Sequence, residues 1–188
     1  MTQLLESNAH LNVGRNTLHN GGCTIVATPD APVSFGSFCA IGRNLTIMPI
    51  NHDTNYPAVQ GTLYRSMFGL AHPGEVGLPS RERTKGEVKI GNDVWIADNV
   101  TVLGGVDIGD GACIGAGSIV TRSVPPYFVA AGSPCRLLRL RFDIEMVRFL
   151  LALRWWDWPD DRIKRNREFF LMNLSNMPVV GLQAAIRD

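Results

Sequence analysis

From Ile90 onward, branched apolar residues return every six positions: Ile90, Ile96, Val102, Ile108, Ile114 and Val120. Four residues after each comes a second small or branched residue: Val94, Val100, Val106, Ala112, Ser118 and Val124. A helix would place apolar residues at spacings of three and four, and a half-buried strand would alternate over a longer run. The six-residue period meets neither pattern. It predicts very short strands with a corner at every sixth residue and the leading branched side chain turned inward. Strands so short cannot bury an inner face alone, so each coil must stack on the next. Gly, Asn and Asp gather near the corners (Gly91-Asn92-Asp93, Asp98-Asn99, Gly109-Asp110-Gly111), where tight turns need unusual backbone angles.

The frame is present earlier in weaker form. Phe35, Ile41 and Ile47 are six apart, with Cys39 and Leu45 at the second inward position, and Val13-Gly14-Arg15-Asn16 reads as one more rung. Between about 48 and 87 the rhythm is lost in a stretch holding Pro49, Pro57, Pro73 and Pro79. A long unpatterned insert in a solenoid reads as a functional loop thrown out from one corner. The repeat ends at Pro125-Pro126. Phe142, Met146, Phe149, Leu150 and Leu153 then recur at helical spacing behind the capping residue Asp143, and Pro159 can open a second helix. The chain therefore divides into a β-helix over 1–141 with an excursion at about 48–87, helices over 142–173 that cap the open end, and a tail over 174–188.

Composition narrows the function. Of 188 residues, 45% are hydrophobic and 19% charged, enough to bury a core, and the formal net charge of +1 carries no footprint for nucleic acid. No segment is long and apolar enough to span a membrane. Cys23, Cys39, Cys113 and Cys135 lack metal-finger spacing and read as reduced, mostly buried thiols. The N-terminus has no signal-peptide pattern, so a cytoplasmic location is expected.

Several runs resemble the hexapeptide-repeat acetyltransferases: Ile90-Gly91-Asn92-Asp93-Val94-Trp95-Ile96, Ile114 to Arg122, and Val124-Pro125-Pro126-Tyr127 leading to Gly132-Ser133-Pro134-Cys135-Arg136. The tail Arg141-Phe142 and Trp155-Trp156-Asp157-Trp158-Pro159 is similar to the xenobiotic branch of that family, with its chloramphenicol and streptogramin acetyltransferases. The resemblance implies an all-β fold built on a left-handed parallel β-helix, against the usual right-handed crossover. It further implies a homotrimer with each active site between two subunits, and acetyl-CoA as co-substrate with no metal.

Acyl transfer from a thioester to an alcohol needs a base for the alcohol proton and a site that holds both reactants together. No GxSxG motif or readable Cys-His arrangement points to an acyl-enzyme, so direct attack is expected. The candidate base is His52, in Ile50-Asn51-His52-Asp53 at the root of the excursion, where the resembled family places its catalytic histidine. A neutral imidazole suits the task because its reference pKa of about 6.5 lies near working pH. Asn51, Asp53 and Tyr56 are the candidates for binding the acceptor or orienting the ring. The run Thr54-Asn55-Tyr56-Pro57-Ala58-Val59-Gln60, in the loop that shapes the acceptor pocket, departs from the Ser/Thr-rich aromatic stretch common in the branch.

For the cofactor, small residues such as Ala116 let a pantetheine arm approach the backbone, and arginines can fork around phosphates. By match to the family, Asp98 and Thr121 line the groove beside Ala116 and Trp95 lies near the cofactor or the wall, while Arg122, Arg136 and Arg139 meet the phosphates; Asp98 departs from the commoner Gly or Ser, so its contact is through backbone or absent. The leading function is O-acetylation of a sugar or other hydroxylated small molecule. N-acetylation of an amino sugar needs the same base and stays open. A non-catalytic β-helix scaffold, or a zinc hydratase of the γ-carbonic anhydrase kind using His10, His19, His52 or His72, are the other readings; the histidine spacing fits adjacent-rung zinc ligands poorly.

Overall fold

The computed structural model describes residues 2–76 and 83–187. The hexads form three parallel sheets, the faces of a triangular coil. The first face stacks Leu11–Val13, Val33–Phe35, Val88–Ile90 and Asp107–Ile108. The second stacks Leu18–His19, Ala40–Ile41, Trp95–Ile96, Cys113–Ile114 and Phe128–Ala131, with antiparallel strands Gln3–Leu4 and Arg136–Leu140 closing its two edges. The third holds Thr24–Ile25, Thr46–Met48, Thr101–Leu103 and Ile119–Val120. Ile90 pairs with Ile108, Ile96 with Ile114 and Val102 with Val120, so each coil is three hexads long.

The inward assignments hold throughout the regular coils. All six leading residues are at most 3% exposed, and Val94, Val100, Val106, Ala112 and Ser118 at most 1%. Each such aliphatic side chain contributes roughly 1.5–3 kcal/mol by leaving water, which is what the bare two-residue strands need from stacking. Gly91 follows a leading residue because coils meet there: an added Cβ would lie 2.7 Å from the backbone nitrogen of Asp110. The sixth hexad is two residues short, and Val124 takes the strand place opposite Ile108.

Left-handed backbone recurs at the corners with the same period, at Asp93, Asn99, Gly105, Gly111 and Gly117. Corner amides and carboxylates also staple one coil to the next. Asp110 Oδ1 accepts the backbone N–H and the side-chain amide of Asn92, at 2.7 and 2.9 Å, and Asn92 Oδ1 in turn accepts the N–H of Ser37 at 2.8 Å.

The weak N-terminal rung proves to be a full coil. Its strands pair with the next coil at a separation of 22 residues, as in Leu11 with Val33 and Thr24 with Thr46. The four extra residues are a tight turn in which Thr28 and Ala31 exchange backbone hydrogen bonds, and this insertion is what dephases the hexad pattern.

The C-terminal helices form as expected, with α2 over Ile144–Leu153, α3 over Asp160–Arg165 and α4 over Arg167–Phe170. Within the excursion α1 spans Gly61–Phe68, and α5 in the tail spans Leu182–Ala185. Asp143 caps α2 by accepting the N–H of Met146 at 2.8 Å. Their placement differs from a lid over the open end. They pack along one edge of the prism, the corner column of Asn16, Phe38, Asp93, Gly111 and Tyr127. Phe38 stacks on Trp155 at 5.0 Å, Arg15 binds Asp160 and the carbonyl of Trp158, and Arg141 joins Asp93 at 3.2 Å beneath Tyr127. Burial pushes the Asp93 carboxyl up and Arg141 pulls it back. The tail is also packed: Leu182 is buried against α2 and α4, and the Asn166 side chain pairs with the backbone of Arg187. No helix among the described residues is long and apolar enough to cross a membrane.

Candidate active site

The excursion leaves after Met48 and returns at Val88, at the corner between the third and first faces. Both limbs rest on the Gly104-Gly105 corner of the coil beside them. A Cβ on Gly104 would lie 2.7 Å from the Pro49 carbonyl oxygen, and one on Gly105 would lie 2.7 Å from Lys85 Cβ. The limbs are then pinned to each other, Ile50 bridging Thr84 and the Asn51 N–H donating to the Arg83 carbonyl at 2.6 Å. Glu75 ties α1 to the return limb through Arg65 at 2.5 Å and Arg83 at 3.5 Å. Pro79 lies outside the described residues.

His52 stands just past this neck, exposed. Its Nδ1 lies 2.9 Å from the carbonyl oxygen of Val59. A carbonyl can only accept, so Nδ1 carries the proton and Nε2 of the neutral ring keeps its lone pair. Nε2 makes no hydrogen bond among the described residues. The contact that orients the ring is the Val59 carbonyl. Asp53 is buried, and its Oδ1 accepts the backbone N–H and the side-chain amide of Asn55, both at 3.0 Å. Asn51 is exposed beside His52, and Tyr56 sets its ring edge-on to His72 at 5.1 Å.

His72 is buried at 1% exposure with both ring nitrogens engaged. Nε2–H donates to the Ala58 carbonyl at 2.9 Å, and Nδ1 accepts the N–H of Gly74 at 3.0 Å. Residue types carry no sign of this, because both contacts run to backbone. The carbonyls of Ala58 and Val59 are likewise invisible in a sequence.

The proposed cofactor residues fall on the coil itself. Trp95 is half-exposed on the outer side of the second face, between Ala40 and Cys113. Asp98 and Ala116 share one corner column on consecutive coils, where the Gly117 N–H donates to the Asp98 carbonyl at 3.0 Å. The Asp98 side chain points elsewhere: Oδ1 accepts the Arg43 N–H at 2.7 Å and Oδ2 meets its guanidinium at 3.2 Å. Thr121 and Arg122 follow the last strand of the third face. Arg136 and Arg139 lie on the closing strand opposite Ala131 and Val129, and the Cys135 N–H donates to Ile119 at 2.8 Å. Arg122, Arg136 and Arg139 are exposed and form no ion pair among the described residues, whereas Arg15, Arg43, Arg65, Arg83, Arg141 and Arg154 are paired. Arg122, Arg136 and Arg139 are open to an external anion, as are the exposed Arg148 and Arg165. Among the described residues no three His, Cys, Asp or Glu side chains gather to hold a metal.

Residues 87–122 match the bacterial transferase hexapeptide family (six repeats). A probable macrolide acetyltransferase of Lysinibacillus sphaericus is 41% identical over 136 residues, 71% of this chain and 73% of its own length. A chloramphenicol acetyltransferase of Morganella morganii is 32% identical over 170 residues, 84% of this chain and 80% of its own. Among solved structures, a hexapeptide-repeat-containing acetyltransferase of Vibrio cholerae O1 biovar eltor, complexed with acetyl coenzyme A, aligns with a TM-score of 0.54 at 25% identity over 70% of this chain and 61% of that one. With the stacked hexads and these relatives together, the chain belongs to the acetyl-CoA-dependent hexapeptide-repeat acetyltransferases, in the branch that includes the chloramphenicol and macrolide enzymes.

Proposed function

We propose that the protein transfers the acetyl group of acetyl-CoA to a hydroxyl of a small acceptor, a sugar or a xenobiotic, with His52 as general base. The supporting observation is the bond from His52 Nδ1 to the Val59 carbonyl, which leaves Nε2 as an exposed base in one tautomer. Nε2 removes the hydroxyl proton as the oxygen attacks the thioester carbonyl carbon. The tetrahedral intermediate collapses with cleavage of the C–S bond, and the imidazolium returns the proton to the departing sulfur. The products are an acetyl ester and CoA with a free thiol. Chloramphenicol and macrolides both carry hydroxyls, which favours such an acceptor over an amine; the acceptor is assigned to Asn51 and Tyr56, in the same loop as the base.

The pantetheine arm is assigned to the coil flank near Trp95, Ala116 and Thr121, and the phosphates to Arg122, Arg136 and Arg139. Trp95 lies on the second face, away from the loop neck within one chain, whereas Thr121 and Arg122 follow Ile119–Val120 one coil on from the Gly104-Gly105 corner; a groove spread over these places suits a homotrimer whose sites are shared between copies. Exposed Trp95, Met67, Phe68 and Leu70 are apolar surface for such an interface. The four free thiols fit a reducing compartment, and we place the enzyme in the cytoplasm.

The test is thiol release from acetyl-CoA across sugars, amino sugars and chloramphenicol, with wild type and His52→Ala. A hydroxyl acceptor should give turnover, and His52→Ala should lose a factor of about 10²–10⁴ in kcat while binding CoA normally. Near wild-type rates in the variant would refute the base assignment, and turnover with amines alone would refute the hydroxyl.

A further inference from the structure

We propose that His72 is a positioning residue that fixes the imidazole of His52 through the neighbouring carbonyls of Ala58 and Val59. The inference rests on reading His52 as the base and adds the device that holds it. Val59 is 47% exposed and lies in no helix or strand, so nothing regular fixes the oxygen that orients His52. One residue earlier, the Ala58 carbonyl is held at 2.9 Å by the buried ring of His72. Adjacent Cα atoms are about 3.8 Å apart across a trans peptide, so fixing one carbonyl restricts the next.

The His72 ring is itself fixed. Tyr56 and Tyr64 meet it edge-on at 5.1 and 4.8 Å, and its Nδ1 takes the Gly74 N–H. Gly74 in turn packs on Asp53, whose Cβ lies 2.8 Å from where a Gly74 Cβ would be. His72 therefore grips the chain at two points after the base, at Ala58 and, through Gly74, against Asp53 next to it. Its tautomer is the mirror of that of His52: Nε2 donates and Nδ1 accepts. A displacement of about 1 Å at a reacting group can cost on the order of a hundredfold in rate, so a ring held only by a loose carbonyl would be a poor base.

Two substitutions separate the bonds. In His72→Asn the side-chain oxygen can replace Nδ1 and keep the Gly74 bond, but the amide is too short to reach Ala58. In His72→Gln the amide nitrogen can replace Nε2 and keep the Ala58 bond. We expect kcat to fall roughly 10–100-fold in His72→Asn with KM for acetyl-CoA unchanged, and to recover in His72→Gln to within about twofold. The imidazole ¹⁵N resonances of His52 should report one Nδ1–H tautomer in wild type and His72→Gln, and a mixture in His72→Asn. A His72→Asn protein with wild-type kcat and a single tautomer overturns the proposal, as do equal losses in both variants that follow melting temperature. If His72→Asn fails to fold, Tyr64→Leu removes one wall of the clamp and leaves both bonds: a partial loss of kcat with tautomer mixing supports the proposal, and no change in either overturns it. Should His52→Ala keep its activity, the base assignment fails, and the ¹⁵N signature still decides whether His72 fixes that ring.

Discussion

Asp98 and Arg43 are joined across two coils and 55 residues: the carboxylate accepts the Arg43 backbone N–H at 2.7 Å and meets its guanidinium at 3.2 Å. The sequence position of Asp98 matches a cofactor groove, but its oxygens serve the corner. A Cβ on the underlying Gly42 would lie 2.5 Å from Asp98 Oδ1, so the carboxylate is held close against that coil. Asp98→Ala is expected to lower stability by about 1 kcal/mol, the ordinary worth of one hydrogen bond, with KM for acetyl-CoA changed less than twofold. Thermal melts and steady-state kinetics on the same preparation check both halves. A rise in KM without loss of stability would return Asp98 to the cofactor.

Arg136 is exposed, unpaired among the described residues and bonded only to the carbonyl of Cys135 beside it, at 3.2 Å. If it meets the ribose 3′-phosphate of CoA, Arg136→Ala should raise KM for acetyl-CoA roughly tenfold, as expected for one charge-assisted hydrogen bond. Dephospho-acetyl-CoA should lose far less. Rising salt should shrink the difference between the two cofactors in wild type and barely affect it in the variant. Equal losses with both cofactors would mean that Arg136 touches another part of the molecule, or only the fold.

Much of the coil was legible because one physical demand, an inward branched side chain every six residues, repeats without interruption from Ile90 to Val120. The first coil was not legible as a whole coil because the Thr28–Ala31 turn adds four residues and shifts the phase. The seat of the C-terminal helices was hidden for a different reason. Their corner column places Phe38 and Tyr127 at φ 61° and 58°, positions that Asn and Gly fill elsewhere, and no local rule predicts an aromatic there. At the candidate site, the proposed base His52 was visible by type and place. Its orientation was not, since it depends on the Val59 oxygen and on a second histidine whose partners are both backbone.

Gly105 has φ +72°, and an added Cβ would meet Lys85 Cβ at 2.7 Å and its carbonyl oxygen at 2.8 Å. Gly117 has nearly the same φ, +69°, with nothing within 4 Å of the added atom. Gly117→Ala should therefore cost only the backbone term, about 1–2 kcal/mol. Gly105→Ala must also push the return limb of the excursion aside. It should destabilise more and lower kcat, because that limb pins Asn51 next to His52. Denaturant unfolding and turnover of the two variants, side by side, separate the terms. Equal stability losses with equal turnover would show that the corner does not carry the loop.

Cys39 supplies a pH dependence with a defined sign. The thiol is 1% exposed, its Sγ–H directed at the Gly91 carbonyl at 3.1 Å, and burial pushes its pKa up to about 11 from an ordinary 9.0. Burial disfavours the thiolate, so the folded chain binds this proton more tightly than the unfolded chain does. The contribution is complete below pH 9 and is lost as pH rises through 11, a span worth about 2–3 kcal/mol. Burial also raises the thiols of Cys23, Cys113 and Cys135 and the phenol of Tyr127, which slope the same way, so wild type alone cannot isolate the effect. Cys39→Ala can: it should be less stable than wild type at pH 8, because a buried sulfur is lost, yet decline less steeply between pH 9 and 11. Urea unfolding at several pH values measures both slopes, and parallel curves would mean that the Cys39 thiol ionises as readily in the folded coil as in the open chain.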